Sequence, residues 1–417
     1  MWVPVGKGEH HRPYGRLRNL AQGLTPVAMT ASSVSFERDR ELRIARLRAA
    51  ARDLATERRR PSRAKMRALR LAPGGRLEWR SAPAPPPPGP KEAIVHPIAV
   101  GTCDLDRAMM LGRTPFPMPF HYGHESVAEV VEVGSEVERV KVGERVVVPF
   151  QINCGECGAC RAGLTGNCLA VPPLSMYGFG VAGGHWGGHA ADLFKVPFAD
   201  AMLVTLPDGV DPAAAVSASD NICDGHRHVA PHLPAMLERD PGATVLILAA
   251  QSRDLPFGAS VPLYAGQVAL ALGVGRVVLA DARPPVRLRA TQLGLEAIPP
   301  AELRGLDPVP LVVETSTTPA GLRRGLELTA PDGVCTSAGG LHGDAKIPLA
   351  LMFGRNATLK IGRSHARAEL PAVLDLIASG RIAPERVNSN VGAIDDAPRA
   401  LRDHAEGNAI KTVLVES

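Results

Sequence analysis

Short runs of hydrophobic and polar residues, broken by Gly and Pro, fill the chain from Met66 to about residue 215. The clearest runs are EAIVHPIAV, SVAEVVEVG, ERVVVPF and ADLFKVPFADAMLVTLP. Short runs of this kind between turn residues are typical of β-strands. The pattern therefore predicts an antiparallel, barrel-like β domain, which begins with the strand-like segment MRALRLAPGGRLEWR.

The rhythm changes at about residue 212, where strand-like and helix-like segments begin to alternate. The segments are TVLILAA, YAGQVALALG, RVVLAD, VRLRATQLG, PLVVETS, GLRRGLELT and VCTSAG. Such alternation builds a parallel sheet with helices on both faces. We place this second domain at residues 214–349 and expect residues 350–417 to return and complete the first domain, 66–213.

Residues 1–65 show no sustained period apart from a possible amphipathic helix from Arg38 to Arg60. They hold 15 Lys and Arg against 6 Asp and Glu, whereas residues 66–417 hold 32 against 36. The net charge of +5 therefore belongs to the N-terminal segment. We expect a disordered basic extension, with a partner-binding or nucleic-acid-binding arm as the alternative, and no nucleic-acid partner for the slightly acidic body.

Cysteine usage and hydropathy indicate the cellular setting. No run approaches the roughly 18 apolar residues of a membrane span, and the N-terminus lacks the apolar core of a secretory signal. Four of the seven cysteines fall within fifteen residues, which indicates metal ligation in a reducing compartment rather than disulfides. We expect a cytoplasmic protein with no membrane partner.

The four clustered cysteines are Cys154, Cys157, Cys160 and Cys168, with the spacing C-x2-C-x2-C-x7-C and glycines between them. Four thiolates make a closed tetrahedral zinc site, which offers no position for a substrate. We therefore predict a structural zinc lobe at residues 151–170. An iron–sulfur cluster uses the same ligands, but nothing else in the sequence indicates electron transfer.

A second metal site is indicated by Cys103, which follows the apolar strand HPIAVGT, and by His124 and Glu125, which precede another strand. A catalytic zinc needs three protein ligands and one open position for a substrate oxygen. Each signal is weak by itself, because a lone Cys is usually a core residue and a lone His is usually a surface residue. Their combination is more specific.

These segments together resemble the zinc-dependent medium-chain alcohol dehydrogenase family over nearly all of residues 66–417. Its members carry a cysteine after a first-domain strand, then Gly-His-Glu, then a four-cysteine lobe; here these are Cys103, Gly123–Glu125 and Cys154–Cys168. One signature glycine is replaced by Ala128. The resemblance implies an α/β fold, with a GroES-like β-rich catalytic domain and a Rossmann-type doubly wound parallel-sheet domain.

The resemblance also implies a third catalytic ligand in the segment SASDNICDGHRHV. Counting back four positions from the Asp224-Gly225 pair selects Asp220, and Cys223 is the competing ligand. A carboxylate at this position is similar to the formaldehyde and polyol dehydrogenase branch. For Glu125, the resemblance implies a buried carboxylate near the metal that tunes the metal and assists ligand exchange, whereas the alternative is a solvated acid at a strand end.

The expected nucleotide-binding fingerprint, a Gly-rich turn after the first strand of the second domain, is missing. Ala249 and Ala250 stand where glycines belong, and the loop is expanded around residues 253–259. Asp281 ends the next strand, where an acid binds the adenosine ribose and favours NAD over NADP. Lys411 resembles a basic residue of the family that approaches the pyrophosphate.

A further departure concerns the proton relay. In the family, a Ser or Thr stands two residues after the first cysteine ligand, but here that position is Leu105, which cannot carry a proton. Removal of such a group typically costs on the order of 10²–10⁴ in rate. Water, Asp104, Asp106 or His121 are the candidates to replace it.

The sequence thus predicts a zinc-dependent oxidoreductase that transfers a hydride between an alcohol, or its aldehyde or ketone, and NAD. The site residues would be Cys103, His124, Glu125 and Asp220, with one catalytic and one structural zinc per chain. The alternative is a zinc-stabilised binding or regulatory protein that keeps the fold without turnover. We expect a small-molecule substrate and a homo-oligomer, either a dimer or a tetramer.

Overall fold

The computed structural model describes residues 65–339 and 345–416. The predicted N-terminal extension, except for its last residue, lies outside the described residues. None of the helices in the described part of the chain is long and apolar enough to cross a membrane.

The first part of the chain is rich in strands, as predicted, with short helices between them. Its strands are β1 (Lys65–Ala72), β2 (Arg76–Pro83), β3 (Ala93–Gly101), β4 (Phe120–His121), β5 (Glu125–Val133), β6 (Arg145–Val148), β7 (Phe194–Val196) and β8 (Val204–Thr205). Its helices are α1 (Asp106–Met110), α2 (Gly158–Arg161), α3 (Ala199–Met202) and α4 (Pro212–Ala215).

The segment that starts at Met66 forms the antiparallel hairpin β1–β2, in register from Lys65 opposite Pro83 to Ala72 opposite Arg76. Its turn requires glycine at Gly75, because φ is +74° and an added Cβ would lie 2.1 Å from the Met110 carbonyl oxygen. Strand β4 adds to this hairpin and completes a three-stranded sheet in the order β2-β1-β4.

The second part of the chain alternates strands and helices, as predicted. Its strands are β9 (Thr244–Leu248), β10 (Arg276–Ala280), β11 (Glu296–Ile298), β12 (Val309–Glu314), β13 (Thr329–Ser337) and β14 (Thr358–Ile361). Its helices are α5 (Asn221–Val229), α6 (Leu233–Arg239), α7 (Ser260–Ala271), α8 (Pro284–Gln292), α9 (Pro319–Glu327) and α10 (Leu349–Arg355).

These six strands form one parallel sheet in the order β11-β10-β9-β12-β13-β14. Along β9, Val245 and Ile247 enter one hydrophobic cluster with α7 and α8, while Leu246 and Leu248 enter another with α9. Both faces of the sheet are therefore covered. The strand order reverses between β9 and β12, and ligands of such sheets bind beyond the carboxyl ends of the strands at this point.

The last elements are α11 (Ala366–Ala378), β15 (Asn390–Ala393), α12 (Ala397–Ala405) and β16 (Thr412–Val415). Strand β16 pairs with β3 and joins a seven-stranded sheet, β15-β16-β3-β5-β6-β8 with β7 beside β3. The chain thus returns to its first part.

Two elements differ from the sequence prediction. Strand β14, which we assigned to the first domain with residues 350–417, pairs with β13 at the edge of the parallel sheet. A short apolar run has no feature that specifies which sheet it joins. The long run ADLFKVPFADAMLVTLP is also not one strand, because α3 (Ala199–Met202) separates β7 from β8.

Candidate metal centres and active site

The structure brings the sulfur of Cys103, a ring nitrogen of His124 and a carboxylate oxygen of Asp220 within 4.8 Å of one another. Strand pairing explains the first two positions: Gly101 at the end of β3 lies opposite Glu125 at the start of β5. Cys103 and His124 flank this pair, and Asp220 directly precedes α5. Three segments distant in sequence therefore converge on one point.

His124 has the properties of a metal ligand. Its side chain is 1% exposed, and neither ring nitrogen has a hydrogen-bond partner among the residues that the structure describes. Its Nε2 lies 3.5 Å from Asp220 Oδ2. Burial lowers the pKa of His124, which favours the neutral imidazole that binds metals. Because unpaired buried polar atoms are costly, the two free nitrogens fit a site built for an ion.

The other two members of the cluster are acids, the buried Cys103 and the partly buried Asp220, and their charged forms need a cation. Burial and the Asp224 carboxylate raise the pKa of Asp220 to about 8. Burial, with Asp106 adding to the effect, raises the pKa of the Cys103 thiol well above its usual range. A divalent ion would reverse both shifts, because it stabilises the thiolate and the carboxylate. One thiolate, one imidazole and one carboxylate form a donor set that suits zinc.

Hydrogen bonds fix the positions of the cluster residues. The backbone N–H of Cys103 donates to the buried Asp106 carboxylate at 2.7 Å, and the backbone N–H of Leu105 donates to the Cys103 sulfur at 3.2 Å. When the Asn221 amide is oriented to match donors with acceptors, its nitrogen donates to Asp220 Oδ2 at 3.1 Å. The sequence analysis missed Asn221, although it directly follows Asp220.

Cys223, the competing ligand, lies outside the cluster. Its buried thiol donates to the backbone oxygens of Ala218, at 3.0 Å, and Ala366, at 3.4 Å. Cys223 is on the first turn of α5, which crosses α7 at Gly225, where an added Cβ would lie 2.8 Å from the Ala265 nitrogen. This close packing fixes the rotation of α5 about its own axis, and with it the direction in which each of its side chains points. Of the two candidates, the structure brings only Asp220 to Cys103 and His124.

Glu125 and Lys411 form a buried ion pair beside the metal cluster. Lys411 Nζ donates to Glu125 Oε2 at 2.5 Å, and the backbone N–H of Asn221 donates to Glu125 Oε1 at 3.1 Å. Burial opposes the charge on Lys411, but the Glu125 carboxylate outweighs this effect and raises the pKa of the lysine. Glu125 is therefore not a solvated acid. The predicted contact of Lys411 with a cofactor stays a prediction.

The four sulfurs of Cys154, Cys157, Cys160 and Cys168 also lie within 4.8 Å of one another, and none is in a disulfide. Backbone N–H groups donate to these sulfurs, including those of Cys157 to Cys154 and of Leu169 to Cys157, both at 3.3 Å. Despite the opposing effect of burial, such donors lower the pKa of Cys157 to about 6. The geometry fits the closed tetrahedral zinc site that the spacing predicts.

Comparisons with known proteins agree with this arrangement. Residues 89–208 match the alcohol dehydrogenase GroES-like domain family. A solved alcohol dehydrogenase of Thermus sp. ATN1 is similar in structure, with a TM-score of 0.76 and 29% identity, over 84% of this chain and all of that one. Together, these similarities support the assignment of the chain to the zinc-dependent medium-chain alcohol dehydrogenase family.

Curated proteins similar to this chain include dehydrogenases of several bacteria. A probable zinc-binding alcohol dehydrogenase of Mycobacterium tuberculosis is 28% identical over 80% of this chain and 84% of its own length. The glutathione-independent formaldehyde dehydrogenase of Pseudomonas aeruginosa is 33% identical, but the match spans 53% of this chain and about half, 55%, of that enzyme. The comparisons give no support to a non-catalytic binding protein.

Asp281, the acid predicted to bind the cofactor ribose, is already hydrogen-bonded to other residues of this chain. The Asp281 carboxylate is fully buried and accepts three hydrogen bonds from Arg283: one from its backbone N–H and two from its guanidinium, at 2.7 to 2.9 Å. The backbone N–H of Ala250 also donates to it at 3.3 Å. The sequence analysis missed the contact between Arg283 and Asp281. The available signal was that the arginine lies only two residues after the acid.

The candidates for the proton relay are partly committed to other contacts. Leu105 is partly buried and packs against the main hydrophobic cluster. The Asp106 carboxylate accepts from Cys103, and the Asp104 carboxylate accepts from the first turn of α7. His121 lies in β4 opposite Arg70, and burial together with Arg70 lowers the pKa of its ring. The carboxylates of Asp104 and Asp106 therefore both already accept hydrogen bonds from backbone N–H groups.

Proposed function

We propose that this chain is an NAD-dependent alcohol dehydrogenase that interconverts small alcohols with their aldehydes or ketones. The observation that carries the proposal is the convergence of Cys103, His124 and Asp220, in which neither nitrogen of a buried imidazole has a hydrogen-bond partner in the described part of the chain. Three protein donors with a fourth position open are the arrangement of a catalytic zinc site. The names of the relatives, alcohol and formaldehyde dehydrogenases, support the substrate class.

In this proposal, Cys103, His124 and Asp220 hold the catalytic zinc, and the four clustered cysteines hold the structural zinc. Zinc at the three-residue site supplies a Lewis acid that polarises the substrate oxygen. The chain contributes the positions: Asp106 holds the backbone of Cys103, and Asn221 holds the Asp220 carboxylate. The buried pair of Glu125 and Lys411 keeps a carboxylate next to the site without a net charge.

The hydride acceptor is a nicotinamide, since no side chain can take up a hydride. The parallel sheet fits a dinucleotide, because its strand order reverses between β9 and β12. We propose NAD rather than NADP, on the basis of the Asp281 carboxylate at the end of β10, which would repel a 2′-phosphate. Arg283 offsets part of this charge, so we expect a modest preference.

We also propose a cytoplasmic protein that acts as a homo-oligomer. Seven free cysteines, four of them gathered at one point, suit a reducing compartment. The proposal for the oligomer, a dimer or a tetramer, is tested by the mass of the purified full chain in solution.

The function is tested by titrating the purified full chain with NADH and with NADPH, followed by fluorescence, with zinc measured on the same sample. We expect about two zinc ions per chain, one for each cluster, and tighter binding of NADH than of NADPH. One zinc per chain without NADH binding would contradict the proposal.

A further inference from the structure

The N-terminus of α7 is capped by a carboxylate from a distant loop. Asp104 Oδ1 accepts from the Ser260 backbone N–H at 2.8 Å and from the Ser260 hydroxyl at 2.5 Å, and Asp104 Oδ2 accepts from the Val261 backbone N–H at 2.9 Å. The residue before the helix, Ala259, has no side chain that caps it. Asp104 is more than 150 residues away in sequence, so this cap is a tertiary contact.

The capped helix is the one that follows the first strand of the parallel sheet. In doubly wound sheets that bind dinucleotides, the first turn of this helix donates its free N–H groups to the pyrophosphate, with help from the helix dipole. Here the same donors are used by Asp104. A pyrophosphate and a carboxylate carry the same sign of charge and cannot share these donors.

The loop between β9 and α7 is held against Asp104 by further contacts. The Gly258 backbone N–H donates to the Asp104 backbone oxygen at 2.7 Å, and an added Cβ on Gly258 would lie 2.2 Å from Asp104 Oδ1. Arg283 donates to the backbone oxygen of Phe257 at 2.7 Å, and Arg107 donates to that of Leu255 at 3.0 Å. These contacts hold the loop close to Asp104.

From these contacts we infer that Asp104 is an internal competitor for the cofactor: its carboxylate occupies the pyrophosphate position and sets the affinity for NAD(H). The inference rests on the proposed function. For a dinucleotide to bind, the Asp104 side chain must leave α7. Because Asp104 directly follows Cys103, and its backbone N–H donates to Asn221 at 3.2 Å, this movement starts next to the metal cluster. Asp104 is thus a determinant of cofactor affinity.

The test compares NADH binding by the full chain with that of Asp104→Asn, which removes the charge and keeps the size. We expect the dissociation constant to fall roughly tenfold, the change that 1.4 kcal/mol produces. Asp254→Asn is the matched control, because it removes one negative charge from an exposed residue of the same loop and leaves the hydrogen bonds of Asp104 to α7 in place. Its dissociation constant should equal that of the unchanged chain.

Asp104→Ser is a second variant that keeps a good helix cap without the charge, and thermal unfolding shows whether each variant is folded. Tighter binding by a folded Asp104 variant, but not by Asp254→Asn, supports the inference. Saturable binding that is equal or weaker in the folded Asp104 variants overturns the inference and leaves the proposed function intact. Absence of binding in all four proteins contradicts both.

Discussion

Lys411 and Glu125 are 286 residues apart in sequence and form an ion pair in which 1% and 0% of the respective side chains are exposed. The ion pair, with a distance of 2.5 Å, connects the first residue of β5, which follows the candidate metal ligand His124, to the residue before β16. A buried pair of this kind depends on both partners, because either charge alone would be buried without compensation. The C-terminal segment is therefore tied to the metal cluster.

Replacement of Lys411 by Met should destabilise the fold by about 3–5 kcal/mol, because it leaves the Glu125 carboxylate unpaired in the interior. Urea unfolding of the full chain measures this loss. The double variant Lys411→Met with Glu125→Gln should recover part of it, since no buried charge remains. An equal or larger loss in the double variant would contradict the ion pair as the cause.

Replacement of His124 by Ala should remove one of the two zinc ions, because the remaining two donors no longer make a three-ligand site. Cys223→Ser is the control: this thiol is equally buried and close in sequence to Asp220, but it bonds to backbone oxygens outside the cluster. The control should keep both ions. The zinc content of each purified variant is the measurement that tests this prediction. Loss of zinc from Cys223→Ser would argue against Asp220 as the third ligand.

Replacement of Cys157 by Ser should remove the other zinc ion and destabilise the lobe at residues 151–170, while the three-residue cluster keeps its ion. The reason is that the two groups of donors share no residue. The variant should retain one zinc per chain and lose thermal stability. Retention of both ions would show that the four sulfurs do not act as one closed site.

Zinc binding at the three-residue cluster should weaken as the pH falls. Without metal, Asp220 has a pKa of about 8 and Cys103 a higher one, so both are largely protonated at neutral pH and binding must displace protons. The affinity should fall by up to about tenfold per pH unit for each displaced proton. Competition with a chelator between pH 6 and 8 measures the slope, and a flat profile would contradict these protonation states.

Local features made much of the fold and of both metal clusters predictable. The four cysteines lie within fifteen residues, so their spacing alone indicates a common ion. Cys103 and His124 flank neighbouring strands, and the register from Asp224-Gly225 selects Asp220 rather than Cys223. Each of these inferences depends on residues whose relation is visible in a short segment or in a known order of segments.

Contacts between distant segments were not predictable. Nothing in the sequence near Asp104 indicates that its carboxylate caps α7, because the contact depends on how two domains pack. Likewise, the sequence identified Asp281 as the acid at the end of β10. The ion pair that Asp281 forms with Arg283 depends on side-chain geometry and was not predictable. Strand β14 has the pattern of a strand, whereas its place in the parallel sheet depends on its neighbour β13.

The most direct test of the central claim is hydride transfer itself. The full chain, loaded with zinc, is incubated with NAD and a panel of small primary and secondary alcohols that carry deuterium on the carbinol carbon, and NADH is analysed by mass spectrometry. We predict deuterium in the NADH formed by the unchanged chain and none with His124→Ala. Absence of labelled NADH with every alcohol, from protein that holds both zinc ions and binds NADH, would contradict the account.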